Sequence, residues 1–143
     1  MLSKLNKETV ESVIKDDPVR PHISAEWRTR PGREVYGLYD ESGDNLRAVI
    51  CVAYTDEVPT CERDLGWVGT DVAVFYTVWS YDRGAGRDIV LAARDYARDY
   101  KHCKRYVTLS PLTDMAKDFH LRNGARLIAH NPNESYNFEY PKK

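Results

Sequence analysis

The stretch Asp71–Val90, DVAVFYTVWSYDRGAGRDIV, changes character in its middle. Val, Phe, Tyr and Trp dominate Asp71 to Asp82, which predicts a strand. RGAG follows directly. From Arg87 to Tyr100 the residues Ile89, Val90, Ala93, Tyr96 and Ala97 recur at helical spacing and predict an apolar helix stripe. A strand that runs through glycines into a helix presents the first free N–H groups of that helix, and its dipole, to an anion such as a pyrophosphate. Gly84 and Gly86 let the backbone approach a ligand, and Arg83 and Arg87 can add charge-assisted contacts. On these residues alone, a tight turn that merely needs two glycines fits as well. The GK[ST] of a Walker loop is missing, and so is the third glycine of a dinucleotide fingerprint.

Working outward, Lys7 to Asp16 predicts a first helix, stopped at DDPVRP because proline cannot continue it. Ile23 to Arg28 is expected as a short strand. EVYGLYD and LRAVICVAYTD, joined by the polar ESGDN, predict two paired strands. EVPTCERDLGWVGT has no clear period and is expected as a loop or a distorted strand start. Downstream, RYVTLS predicts a strand. A helix is expected from about Pro111, with Leu112, Met115, Ala116 and Phe119 on one face and Asn123-Gly124 at its end. ARLIAHN and SYNFEYP predict a closing antiparallel pair, with the second strand available as an interface strand of a homodimer. The expected fold is α/β (α+β): a single domain over residues 1–143, a mixed, mostly antiparallel sheet flanked by helices.

Composition narrows the function classes. The chain has 143 residues, 21 Lys+Arg against 22 Asp+Glu, and a net charge of −1. No basic stripe follows a phosphate backbone, so no nucleic-acid partner is expected. No apolar run of about 18 residues is present, so no membrane span is expected. The N-terminal MLSKLNKETVESVIKDD lacks the apolar region of a signal peptide. Cys51, Cys61 and Cys103 form no CxxC pair, which suits a reducing cytoplasm, and nothing offers a metal site.

The stretch Thr108–Leu127, TLSPLTDMAKDFHLRNGARL, holds Ser110 and His120. Serine before proline fits a helix cap with proline at the first helical position, and His120 fits an ordinary polar residue on a helix face. In a helix begun near Pro111, His120 lies about 13 Å along the axis. A direct nucleophile–base contact is therefore not expected, and no hydrolytic triad order is present.

The glycine loop, in its position after the expected fourth strand, resembles the coenzyme A loop of the GNAT acyltransferase superfamily, through Arg83, Gly84 and Gly86. Asp88 stands where that pattern has a small residue, and an acid there would repel a phosphate. TLSP followed by FHLRNGA, with VAVFYTVWS, Ala85-Gly86 and YNFEY, is similar to the C-terminal domain of the malonyl-CoA decarboxylase family, which has a longer stretch between its Ser-Pro and Phe-His motifs. The resemblance implies a coenzyme A thioester, acetyl-CoA or malonyl-CoA, as substrate, and no metal. It implies Ser110 and His120 as catalytic residues, with His120, four residues before Gly124, as proton donor and Ser110 orienting the acyl carboxylate. Contacts to the thioester fall on Phe75, Tyr76, Thr77 and Val78, on the loop Arg83, Gly84, Ala85, Gly86, Arg87 and Asp88, and on Asn123. Three activities stay open: decarboxylation of malonyl-CoA to acetyl-CoA and CO2, acyl transfer from acetyl-CoA to a small amine or protein acceptor with Glu26, Asp71 or a water as base, and non-catalytic binding of coenzyme A or a protein partner.

Overall fold

In the computed structural model, which describes residues 1–143, the elements run β1 (Leu2–Lys4), α1 (Lys7–Val13), α2 (Ala25–Arg28), β2 (Arg33–Tyr39), β3 (Leu46–Thr55), β4 (Val72–Ser80), α3 (Ala85–Asp99), β5 (Arg105–Thr108), α4 (Asp114–Arg122), β6 (Arg126–Asn131) and β7 (Ser135–Tyr140). The strands form one seven-stranded sheet in the order β1-β2-β3-β4-β5-β7-β6. Only β4 and β5 run parallel; the other neighbours are antiparallel. No helix is long and apolar enough to cross a membrane.

Alternation along the central strands feeds two cores. Ala73 and Phe75 join Ile89, Val90 and Ala93 of α3 on one face, while Val72, Val74 and Tyr76 join Val10 and Ile23 on the other. Ile50, Val35 and Ile89 are fully buried, each worth roughly 1.5–3 kcal/mol against leaving it in water. A polar knot stitches the second face: Arg28 and Asp17, both with side chains 0% exposed, pair at 2.7 Å.

Several expectations change. β1 is a strand that the sequence pattern did not reveal; at three residues it is too short to show a period, and it pairs with Tyr36 to Leu38. Ile23 to Arg28 is not a strand. The Ser24 side chain accepts a hydrogen bond from Trp27 N, and a one-turn helix follows. The last helix starts at Asp114, not Pro111, because Thr113 caps it through Ala116 N. Leu112 therefore precedes the helix, Met115 is 83% exposed, and the only buried residue of α4 is His120. β7 lies between β5 and β6, so β6, not SYNFEYP, is the sheet edge.

Candidate functional site

Two features open the sheet at its centre. In β4 the pairing with β3 shifts between Phe75 and Thr77, leaving Tyr76 as an extra residue, a β-bulge. Here β4 and β5 part: Phe75 is the last residue in register with β5, and Leu109 N donates the last bond to its carbonyl at 3.1 Å. Ser110 then bonds in both directions with Tyr136 of β7, at 2.9 Å each. β5 thus turns away from β4, leaving Thr77 and Val78 past the parting with no β5 partner.

The α3 N-terminus follows β4 after the four residues Tyr81 to Gly84. Gly84 precedes the helix at φ 82°, the left-handed region where a side chain is strained. Ala85 donates to Asp82 and Asp88 to Gly84, so Gly86 and Arg87 carry first-turn N–H groups without intrahelical acceptors. Gly86 is where α3 meets α4: a Cβ there would lie 3.2 Å from the Phe119 ring. Arg83 and Arg87 are exposed. Asp88 is not a bare charge, since Arg47 Nη2 lies 3.7 Å away, which softens the repulsion expected of an acid at this place.

His120 sits next to that contact. Its ring packs against Phe119, Phe138 and Tyr140 with centroids 5.0, 5.3 and 5.8 Å away. Nδ1 lies 2.7 Å from the Tyr140 hydroxyl. Burial lowers the imidazole pKa to about 4, because a cation in this aromatic nest would lose its water. His120 is therefore neutral at pH 7. Burial also raises the Tyr140 phenol, keeping it a hydroxyl that can donate to Nδ1. That tautomer leaves Nε2–H as the free donor of the ring.

The remaining expected residues divide by face. Phe75 lies on the α3 side, its ring 6.4 Å from that of Tyr140. Val78 is half-buried on the same side. Tyr76 and Thr77 turn their side chains to the opposite face, Tyr76 edge-on to Trp27 and Thr77 Oγ1 donating to Asp17 at 3.0 Å, so only their backbones border the opening. The Tyr76 carbonyl accepts from Arg20 Nη1. Asn123 is buried beside Tyr140, and its Nδ2 has no hydrogen-bond partner. Ser110 Oγ is buried and donates to Thr108 Oγ1 at 2.7 Å, whose oxygen also accepts from Phe138 N. Ser110 is no helix cap. Ser110 and His120 do not pair with each other; both are tied to β7, one through Tyr136 and one through Phe138 and Tyr140. Of the candidate bases, Glu26 is exposed and pairs with Arg30 at 2.7 Å, and Asp71 precedes β4 at the end away from the bulge.

Tyr140, Asp17 and Arg20 were not singled out in the sequence. Tyr140 lies 20 residues from His120, and only the β5-β7 pairing brings it there.

No family model matches the chain, and no curated protein matches it. Solved structures do. Malonyl-CoA decarboxylase from Agrobacterium vitis superposes with a TM-score of 0.77 at 18% identity, over 98% of this chain and 60% of that one. The decarboxylase from Rhodopseudomonas palustris gives 0.73 at 17% identity, over 99% of this chain and 56% of that one. The N-acetyltransferase PseH from Campylobacter jejuni gives 0.67 at 10% identity, over 100% and 98%. This chain has the GNAT fold. It spans less than two thirds of the two decarboxylases. The expected fold class, a mixed and mostly antiparallel sheet flanked by helices, agrees with the structure, and the glycine loop lies at the start of α3 as expected.

Proposed function

We propose that this chain acts on a coenzyme A thioester as a malonyl-CoA decarboxylase. The single observation that carries the reading is the Tyr140–His120 pair, which supports an Nε2–H donor in an aromatic nest beside the α3 loop. In this reading the pyrophosphate lies on the Gly86 and Arg87 N–H groups, and Arg83 and Arg87 balance its charge. The thioester carbonyl meets backbone N–H groups at the β4 bulge. Ser110 turns its hydroxyl from Thr108 Oγ1 to the malonyl carboxylate, keeping the C–C bond to be broken out of the plane of the carbonyl. That bond breaks to release CO2, and its electron pair moves into the thioester as an enolate. Donors fixed in advance at the enolate oxygen lower this barrier. His120 passes the Nε2 proton to the α-carbon as Nδ1 takes the Tyr140 hydroxyl proton, giving acetyl-CoA, and a proton from solvent restores the pair. The Asn123 amide, buried without an acceptor, is proposed as a further ligand contact.

A second reading, acyl transfer from acetyl-CoA to an amine or protein acceptor, is favoured by the near-complete overlap with PseH. The His120 Nε2–H would then hydrogen-bond the leaving thiolate, which takes its proton from solvent, and a water would serve as base because Glu26 and Asp71 lie elsewhere.

The two readings separate in one experiment: incubation with malonyl-CoA alone, and with acetyl-CoA plus a panel of amines. Acetyl-CoA formed from malonyl-CoA and lost in His120→Ala supports the first reading. Free thiol released only with an amine supports the second. No product, with no change in melting temperature on adding coenzyme A, contradicts both.

A further inference from the structure

On the face of the sheet away from α3, the parting of β4 and β5 is covered. Leu109, just past β5, is buried there in one core with Val74 and Tyr76. The segment between β3 and β4 lies over β7 on this face. Asn137 alternates with Phe138 along β7 and so faces away from α3. Its fully buried amide donates to the Pro59 carbonyl at 2.9 Å and to the Thr108 carbonyl at 2.8 Å. Ser135 Oγ donates to the Thr60 carbonyl at 2.6 Å. Glu62 follows, at the start of a short 3-10 turn (Glu62–Gly66). Its Oε1 lies 3.2 Å from Arg20 Nε, and Arg20 Nη1 donates to the Tyr76 carbonyl at the β4 bulge. The ion pair therefore runs from β4 to a segment fastened on β7, across the line where the strands part. The Arg20 side chain is only 9% exposed. Burial makes its charge harder to keep, and Glu62 and Asp17 counter this. A guanidinium so buried holds on to its counter-charge, since leaving it unpaired is costly. The other Glu62 oxygen lies 2.8 Å from His22 Nε2. Glu62 and His22, but not Arg20, line an outer cavity of about 500 Å³, so the pair stands between that cavity and the bulge.

We infer that the Arg20–Glu62 pair closes the β4–β5 opening on the face away from α3 and shields a thioester bound from the α3 side against water and amine nucleophiles. The inference rests on the proposed binding of a coenzyme A thioester at that opening. Arg20 and Glu62 are then specificity-determining residues. Loss of CO2 needs no second substrate and proceeds behind a closed floor, whereas acyl transfer needs an acceptor to pass it.

The test is cleavage of acetyl-CoA by hydroxylamine, with the full chain in excess so that the thioester is bound, followed as free thiol. The hydroxylamine nitrogen bonds to the carbonyl carbon and the C–S bond breaks, giving a hydroxamate and coenzyme A. Acetyl-CoA has no carboxylate to lose, so the readout is independent of decarboxylation. The wild type is expected to slow cleavage about tenfold or more relative to free acetyl-CoA. Glu62→Ala should lose most of that protection with a small change in melting temperature, because its carboxylate is half-exposed. Glu62→Gln, whose Oε1 can still accept from Arg20 Nε, should keep more of it. Wild-type cleavage as fast as that of free acetyl-CoA, or protection kept in Glu62→Ala, would overturn the inference, while CO2 release from malonyl-CoA still decides the proposed activity. Protection lost only together with cooperative melting would make the pair structural and overturn it too. A wild type that coenzyme A does not stabilise would overturn the reading beneath it, and the inference with it.

Discussion

His120 Nδ1 and the Tyr140 hydroxyl meet at 2.7 Å, and this contact joins α4 to the last strand of the sheet. It leaves Nε2 as the ring nitrogen that Tyr140 does not engage. Tyr140→Phe removes the donor and keeps the ring packing against Phe75 and His120. Leaving a buried imidazole nitrogen unpaired should cost about 1–3 kcal/mol in denaturant unfolding. If the proposed activity holds, kcat should fall about tenfold or more with little change in KM, because the tautomer is no longer fixed.

His120 also makes stability depend on pH in a defined direction. Its folded pKa of about 4 lies below the ordinary histidine value, so the unfolded chain binds the proton more readily. Its contribution is complete above about pH 6.5, falls as pH drops toward 4, and is level below that. The total is on the order of 3 kcal/mol. Urea midpoints at pH 4.5 and 7.5, compared between wild type and His120→Gln, isolate this slope. The variant should lose most of it.

The α3 loop makes a third prediction. Gly84 lies at φ 82° with open space around it, so Gly84→Ala should fold with a loss of about 1–2 kcal/mol from backbone strain alone. Gly86 is at ordinary φ, but a Cβ there would lie 3.2 Å from the Phe119 ring. Gly86→Val should displace Phe119 and reduce coenzyme A affinity more than Gly84→Ala does, read by the shift in melting temperature at a fixed coenzyme A concentration.

The polar knot under β4 should be the least tolerant place in the chain. Asp17 accepts from Val19 N, Arg20 N, Thr77 Oγ1 and Arg28 Nη1. Asp17→Ala leaves Arg28 buried without its partner and should cost about 3–5 kcal/mol. Thr77→Val removes one bond of the set and should cost roughly 1 kcal/mol. Equilibrium unfolding of the two variants checks the ratio.

Much of this architecture was legible in the sequence because it is local. The β4 run, the glycine loop and the α3 stripe lie within thirty residues (Asp71 to Tyr100), and each has its own period or composition. What escaped depends on local capping or on distance. Ile23-Ser24-Ala25 looks extended until the Ser24 side chain caps Trp27 N. Ser110-Pro111 looks like a helix start until Thr113 takes that role. The titration of His120 could not be read from α4 alone, because Phe138 and Tyr140, which help enclose it, come from β7. The Asp17–Arg28 pair spans a proline-rich turn with no period to betray it.

The most direct test of the proposed decarboxylation is release of labelled CO2 from malonyl-CoA carrying the label in its free carboxylate, measured for the wild type, His120→Ala and Ser110→Ala at equal, saturating substrate. The account predicts release by the wild type and a loss of about a hundredfold or more in His120→Ala. It predicts a large fall in kcat for Ser110→Ala, with both variants still stabilised by coenzyme A. Wild-type protein that is stabilised by coenzyme A yet releases no label, or release unchanged in both variants, would contradict it.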